Sequence, residues 1–539
     1  MKTFQEFRHY RAPKSHGESF TDPNIGDVGD QLRGNLELLS QHDPWWQKLR
    51  RDARQQMISD AIRYTSTYRD VDVMASRRER PILMAGHQPS LFHPGVWFKN
   101  FTLSHLAEQQ QALAINLVID NDAASGSSIR VPTIDRDTGG YVYSTVRYDR
   151  FGGGVPYEQT VISDRERFDH FDEDVRKTVM PIVADPLINR LWVHARNAVE
   201  RCGIAGCALA QARHALEGEI GLDTLELPLG VLCRSRMFAE FLLLILSDLS
   251  RFQDAYNTEA DFYRKAHGIR SNSHPVPNLD SDDGWLEAPI WIYSDALPQR
   301  RAGWVKVTEK SMVISDRNGQ ECRIALGAPD MAETLASSIG PHFKIRPRAL
   351  LTTMYARLVL SDLFLHGIGG GKYDQLGDRI AERFFGITPP EFMVVSATVQ
   401  LPGPSPSETD SEITRIKRAI RDTRFQPEKV AEPGELDASL VARKREMLDH
   451  VPGLNEKPDW HQQLDSINEQ LSASLREKRS QLEAELAALM RERASLAVLK
   501  SREHPFCIFP MQDLIETFGQ LIRRSEAGKG AVAKRTRSS

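Results

Sequence analysis

The stretch Ile82-Leu83-Met84-Ala85-Gly86-His87-Gln88-Pro89-Ser90-Leu91-Phe92-His93-Pro94-Gly95 decides how the chain is read. A short apolar run stops at Gly86, and a polar turn punctuated by proline and glycine follows. Val96 to Ala107 then keeps its large apolar residues to one side, which predicts a helix. The next apolar run, Ala112 to Ile119, ends in Asp120-Asn121-Asp122. Strand, loop, helix, strand is the pattern of a right-handed crossover between parallel strands. Ligands of open α/β sheets sit beyond the carboxyl ends of such strands. Gly86 to His93 and Asp120 to Asp122 both fall at that edge, which is therefore the expected functional site.

Bulk properties narrow the class. A chain of 539 residues suits roughly two to four domains. Its 69 basic and 73 acidic residues leave a net charge of -4, which argues against nucleic-acid binding by bulk charge. No apolar run reaches the roughly 20 residues of a membrane span. The longest, Phe241 to Leu246, lies between Glu240 and Asp248. The first residues lack a signal-peptide core. Five scattered cysteines predict no disulfide framework, and Cys202 and Cys207 lack metal-knuckle spacing, so the expected setting is a reducing cytoplasm. Neither nucleic acid nor membrane is an expected partner.

The rest of the chain is read outward from this unit. Residues 1–80 are polar with helical stretches, one starting at Asp43-Pro44 and a second over Gln55 to Tyr68, and are expected to wrap the core. Residues 81–155 form the first part of the core, with strands at Ile129 to Pro132 and Tyr141 to Val146. Residues 156–268 read as a helical insertion, and 269–400 as the second part of the core. That second part holds an extended run from Ser273 to Leu279, a strand over Leu286 to Tyr293, a hairpin over Trp304 to Ser315, a helix from Leu350 to Leu360 and a strand over Phe392 to Val399. A Pro-rich linker at Pro402 to Ser407 opens a linker and helical segment, 401–459. Leu475, Leu482, Leu489 and Leu496 recur every seven residues, which predicts a coiled coil over 460–504 with one phase slip before Leu475. Residues 505–539 read as a return helix over Phe506 to Ile522 and a disordered basic tail from Arg523.

The order of these motifs resembles the cysteine-adding ligase family of bacillithiol biosynthesis. That family's Thr-Gly-Gln-Gln-x-x-Leu-Phe turn corresponds to Ala85-Gly86-His87-Gln88-Pro89-Ser90-Leu91-Phe92, and its acidic strand end to Asp120-Asn121-Asp122. His274-Pro275-Val276-Pro277, Arg346-Pro347-Arg348 and Gly369-Gly370-Gly371 follow in the family's order, as does the coiled coil. The likeness runs over most of residues 60–520. It implies a Rossmann-like core, helical connecting segments, a coiled-coil homodimer and the joining of cysteine to a glucosaminyl-malate. Two departures stand out. The acidic cluster lacks the family's histidine. Where the family's second Gly loop carries Pro and Glu, this chain has Gly371, Lys372 and Asp374.

Candidate roles follow from residue chemistry. His87 and Gln88 stand in a tight turn before a helix N-terminus, where backbone N–H groups and the helix dipole favour an anion. Gly86, Ser90 and His93 complete that turn. Asp120 and Asp122 are placed to orient a ribose or an amine, to hold Mg²⁺ through water, or to cap the following loop, with Asn121 between them as a further ligand-binding candidate. His87, Asp120 and Asp122 are the catalytic candidates. Gly369-Gly370-Gly371-Lys372 lacks P-loop spacing, but its glycines let a backbone approach a ligand, with Lys372 and Asp374 alongside. Arg346 and Arg348 suit a carboxylate clamp, or plain surface solvation. No metal site is expected, since nothing in the spacing of His87, His93 and Asp122 demands zinc. The expected function is a ligase joining an amine- or thiol-bearing small molecule to a sugar acid, with a nucleotide as the candidate cofactor. The alternative is a non-catalytic, dimeric nucleotide- or metabolite-binding protein that keeps the pocket.

Overall fold

The computed structural model describes residues 7–76, 78–269, 276–404 and 406–528. The chain divides into two compact units. One comprises residues up to Val131, then Thr145–Gln400 and the segment from Arg502 onward; the other comprises Pro132–Ser144 and Leu401–Ser501.

The first unit is built on a six-stranded sheet. Its strands are β1 (Glu18–Asp22), β2 (Ile82–His87), β3 (Leu113–Val118), β4 (Leu225–Pro228), β5 (Leu363–His366) and β6 (Met393–Thr398). They lie in the order β1-β6-β5-β2-β3-β4. β2 to β6 are mutually parallel, and β1 closes the edge antiparallel to β6. The chain thus runs from β2 outward through β3 to β4, then returns to the other flank of β2 with β5 and β6. β2 and β5 are neighbours at the point of reversal, with Leu365 opposite Ala85.

Buried parallel strands read as apolar runs because helices cover both faces. Ile82, Met84, Ile115, Leu117, Leu227 and Phe364 face a core built with the helices Pro44–Thr65, Arg236–Leu246, Leu249–Ala266 and Ile368–Phe385. Ala85, Asn116 and Glu226 share a row on the opposite face. There the helices Pro94–Gln109 and Ala205–Glu219 cover the sheet. The crossover helix starts as its sequence dictates, with Pro94 in the first turn and His93 as the N-cap.

Several expectations are corrected here. The helix expected to begin at Gln55 is the continuation of one 22-residue helix, Pro44–Thr65, and the N-terminal wrap also contributes strand β1. The insertion 156–268 is mostly helical but carries β4, a core strand. Residues 281–347 do not extend the parallel sheet. They form a separate antiparallel sheet of Trp285–Tyr293, Arg301–Val307, Ser311–Ser315, Glu321–Ala325 and Lys344–Pro347, with Ser281–Asp282 paired to its longest strand. Of the expected extended run, Ser273 to Pro275 lie outside the described residues. The last helix is Met511–Glu526, so Arg523 to Glu526 are helical rather than tail, while the tail beyond Gly528 lies outside the described residues.

The second unit is helical: Ser407–Phe425, Ala438–Asp449, Lys457–Ser474 and Arg476–Leu499. Leu475 stands at a break between the last two, where the leucine spacing slips phase. Helix 476–499 packs against Ser407–Phe425 of its own chain. Leu475 and Leu496 are buried, Leu482 and Leu489 are half-buried, and Met490 is exposed.

Candidate functional site

β2 ends in the quoted turn, and its side chains are now placed. Gly86 and His87 are half-buried. The His87 Nδ1 donates to the Gln88 carbonyl at 2.6 Å, and its ring meets Phe92 edge-on with centroids 4.3 Å apart. Burial, with Arg213 and Lys99 nearby, holds His87 well below the usual histidine range. His93 does what its position dictates: its Nδ1 accepts from Gly95 N at 3.1 Å as the N-cap of the crossover helix. Burial brings it down to about 4, which keeps that acceptor unprotonated. The Ser90 hydroxyl bonds to Tyr157.

The acidic end of β3 lies beside this turn, because the Gln88 amide donates directly to Asp122. Asp122 also accepts from Arg300 at 2.9 Å. Asn121 is buried and donates to Pro347 O at 2.8 Å. Asp120 accepts from Gly230 N at 3.0 Å. Burial and the neighbouring Glu158 push its carboxyl up, against the pull of Arg346. Arg346 is fully buried and grips Glu158 through two bonds of 2.9 Å. It is therefore half of an internal ion pair and not an open carboxylate clamp. Arg348 is committed likewise, to Glu287 at 2.5 Å and over the Trp291 ring at 4.3 Å. Sequence reasoning missed Glu158 and Gly230. A Cβ on Gly230 would stand 2.9 Å from Glu158, 3.1 Å from Asp120 and 3.3 Å from Arg346, so this glycine leaves room for their convergence.

β5 ends at His366, next to β2. Gly369, Gly370 and Gly371 do not form a loop. They are the first turn of helix Ile368–Phe385, which has no side-chain cap. Gly369 and Gly370 are exposed, while Gly371 packs so closely that a Cβ would fall 2.5 Å from Val394. Lys372 is exposed one residue further along. Asp374 points inward, accepting from Arg357 at 2.6 Å, His366 at 2.8 Å and Thr353 at 2.5 Å. It is a structural anchor and not a ligand group. Although burial opposes it, the Arg357 cation and His366 hold this carboxylate well below its usual range. His366, absent from the sequence-based candidates, is thereby oriented at the strand end. Burial nevertheless lowers its own protonation below the ordinary range.

Lys99 is the second omission. It sits on the crossover helix and is 3% exposed. Its Nζ donates to Gly86 O at 2.7 Å. Burial, then Arg213, brings its ammonium down to about 7. Arg213 itself is balanced by Glu217 at 2.7 Å and by Glu226. Its Gly86 bond places Lys99 at the carboxyl end of β2, and its charge acts on both His87 and His366. In the sequence, Lys99 looks like one polar residue in an amphipathic helix.

Among the described residues, no three His, Cys, Asp or Glu side chains are grouped to hold a metal ion, and no helix is long and apolar enough to cross a membrane. A cavity of about 620 Å³ lies between helices 44–65 and 236–246 and the segment 328–332, and another of about 440 Å³ within the helical unit around Trp460. None of the residues expected at the site lines either cavity. Comparison with family models and with curated proteins finds no match for the chain.

Proposed function

We propose that the first unit is a Rossmann-like core that binds a small metabolite at its β2/β5 edge. We propose further that the protein is a ligase of the cysteine-adding type, joining an amine- or thiol-bearing molecule to a sugar acid. One observation carries the reading. The two glycine-bearing segments that resemble the family, Gly86–His87 and Gly367–Gly371, end neighbouring parallel strands at the point where the strand order reverses. Ligands of open α/β sheets bind in the crevice at that point. Amide formation from a carboxylate needs an activated acyl group, and a nucleotide is the co-reactant the reading calls for. A buried lysine at the end of β2 suits the nucleotide's phosphates. Positioning and anion stabilisation supply the catalysis in this account, with His87 and His366 as the titratable groups nearest the crevice.

The homodimer belongs to the same reading. Leu482, Leu489 and Met490 leave part of helix 476–499 uncovered by the chain's own helix 407–425, and a second copy would complete that stripe. A cytoplasmic setting suits five free thiols.

The test is a thermal-shift panel of nucleotides, amino acids and sugar acids, followed by mass spectrometry of mixtures of cysteine, glucosaminyl-malate and a nucleoside triphosphate. A ligand at about 100 times its dissociation constant adds roughly 2.7 kcal/mol, a shift such a screen detects. Stabilisation by a sugar acid with formation of a ligated product supports the proposal; stabilisation by none of the panel sinks it. One observation favours the second reading, a non-catalytic metabolite-binding protein: Asp122, Arg346, Arg348 and Asp374 are all paired within the chain. Binding without turnover selects that reading.

A further inference from the structure

Buried cations in folded proteins are paired or hydrogen-bonded to saturation, because an isolated charge loses its hydration without recompense. The buried arginines Arg213, Arg346 and Arg357 obey this, each with a carboxylate within 3 Å. Lys99 does not. Among the described residues its ammonium meets one acceptor, Gly86 O, and no carboxylate within ion-pair distance. The charged and titratable groups that face it make the position worse. Helix 205–219 contributes Arg213, whose partners Glu217 and Glu226 are already engaged. β2 contributes His87 and β5 contributes His366, itself bound to Asp374. A hydrogen bond to one carbonyl is a poor reason to keep a lysine here, since a methionine would fill the same space without a charge. The lysine also stands at the carboxyl end of β2, the strand at which the sheet order reverses, and ligands of open α/β sheets bind at that edge.

We infer that Lys99 is the counter-charge of an anionic group, a carboxylate or phosphate of the bound metabolite, held at the carboxyl end of β2. This rests on the proposed ligand edge and names what grips the ligand there; it does not depend on ligation taking place. The anion site is centred on Lys99 at the end of β2, not on His93, Arg346 or Arg348, all of which are engaged elsewhere.

Proton linkage follows from the same geometry. The free lysine is held near 7 by burial and Arg213, and an anion beside it raises that value. Affinity is therefore full below about pH 7 and falls as pH rises, by about tenfold per unit, until the bound form also loses its proton. His87 and His366 are held below the ordinary histidine range, so this alkaline window belongs to Lys99.

The experiment is isothermal titration of the full chain with sulfate, whose charge is constant from pH 6 to 9. Malate and inorganic phosphate at pH 7.5 then distinguish a carboxylate source from a phosphate source by the tighter binder. For the wild type we expect sulfate affinity to fall about tenfold between pH 7.5 and 8.5. Lys99→Met should weaken sulfate at pH 6.5 by at least tenfold and flatten the profile. Its melting temperature without anion should be unchanged or higher, whereas a lysine kept only for its Gly86 bond would lower it. Wild-type affinity in Lys99→Met, a lowered melting temperature with unchanged binding, or no binding of any of the three anions overturns the inference. Should Lys99→Met fail to fold, a flat wild-type profile overturns it and a falling one supports it. Lys99-dependent binding without a ligated product leaves this inference standing and removes the ligase. Ligation with anion affinity untouched by Lys99→Met does the reverse.

Discussion

Replacing Asp374 by alanine tests the reassignment of that residue from ligand group to anchor. The carboxylate is 2% exposed and serves three donors, on Arg357, His366 and Thr353. Removing one partner of a buried pair typically costs about 3–5 kcal/mol, because the other charge is left uncompensated. Arg357 keeps Asp378 at 2.6 Å, which places the expected loss near the lower end, about 3 kcal/mol. Urea unfolding followed by tryptophan fluorescence reads this loss. Of the eight tryptophans only Trp460 belongs to the helical unit, so the signal reports the sheet unit. The sign of the pH dependence is fixed by the depressed folded-state value of Asp374. Its contribution is complete above the unfolded value of about 4 and is lost as pH falls through the folded one. Wild type and Asp374→Ala should therefore differ by a constant amount from pH 8 to 5 and converge only below about pH 4. A loss under about 0.5 kcal/mol at pH 7 refutes the reasoning, being the size of an ordinary surface change. Weakened ligand binding at unchanged stability would return Asp374 to the ligand.

Three further outcomes are expected. Gly369→Ala meets open space and should stabilise helix 368–385 by about 0.5–1 kcal/mol, while Gly370→Ala places a Cβ 2.7 Å from the His366 ring and should destabilise; equal effects in thermal melts would argue for a loop. In a double-mutant cycle, Arg346→Met alone should cost about 3–5 kcal/mol, and adding Glu158→Gln should recover much of it; additive losses would deny the pair. Leu482→Glu with Leu489→Glu should halve the mass seen by light scattering, and an unchanged mass would mean that the stripe serves only the chain's own helices.

The unit read from Ile82 to Ile119 was legible because everything that defines it is local. An apolar run, a turn, a proline at a helix start and a second apolar run lie within forty residues or so. The helix over Leu376 to Phe385 and β6 were legible for the same reason, with Gly386 at φ +72° closing the helix, whereas the glycines of its first turn read as a loop. β4 was not. It has four residues, Leu-Glu-Leu-Pro, lies between helices, and is a strand only because β3 offers its edge. Trp285–Tyr293, Arg301–Val307 and Ser311–Ser315 were visible as strands, Glu321–Ala325 and Lys344–Pro347 were not, and the separation of all of them from the parallel sheet is set by pairing across distant segments. The site divides along the same line. The turn and the acidic strand end were found by composition and come together through the Gln88–Asp122 bond. Arg346 looked free because its partner, Glu158, is 188 residues away. Lys99 was not singled out because helix periodicity does not reveal that it is buried beside Arg213 of Ala205–Glu219. Buried charge is a tertiary property, and its pairing is read from distances.

The most direct test of the central claim is a crystal structure of the full chain grown with malate. The account predicts the ligand at the reversal point, with a carboxylate oxygen within hydrogen-bond distance of the Lys99 Nζ. Malate bound anywhere else, with Lys99 still facing Gly86 O alone, would contradict it.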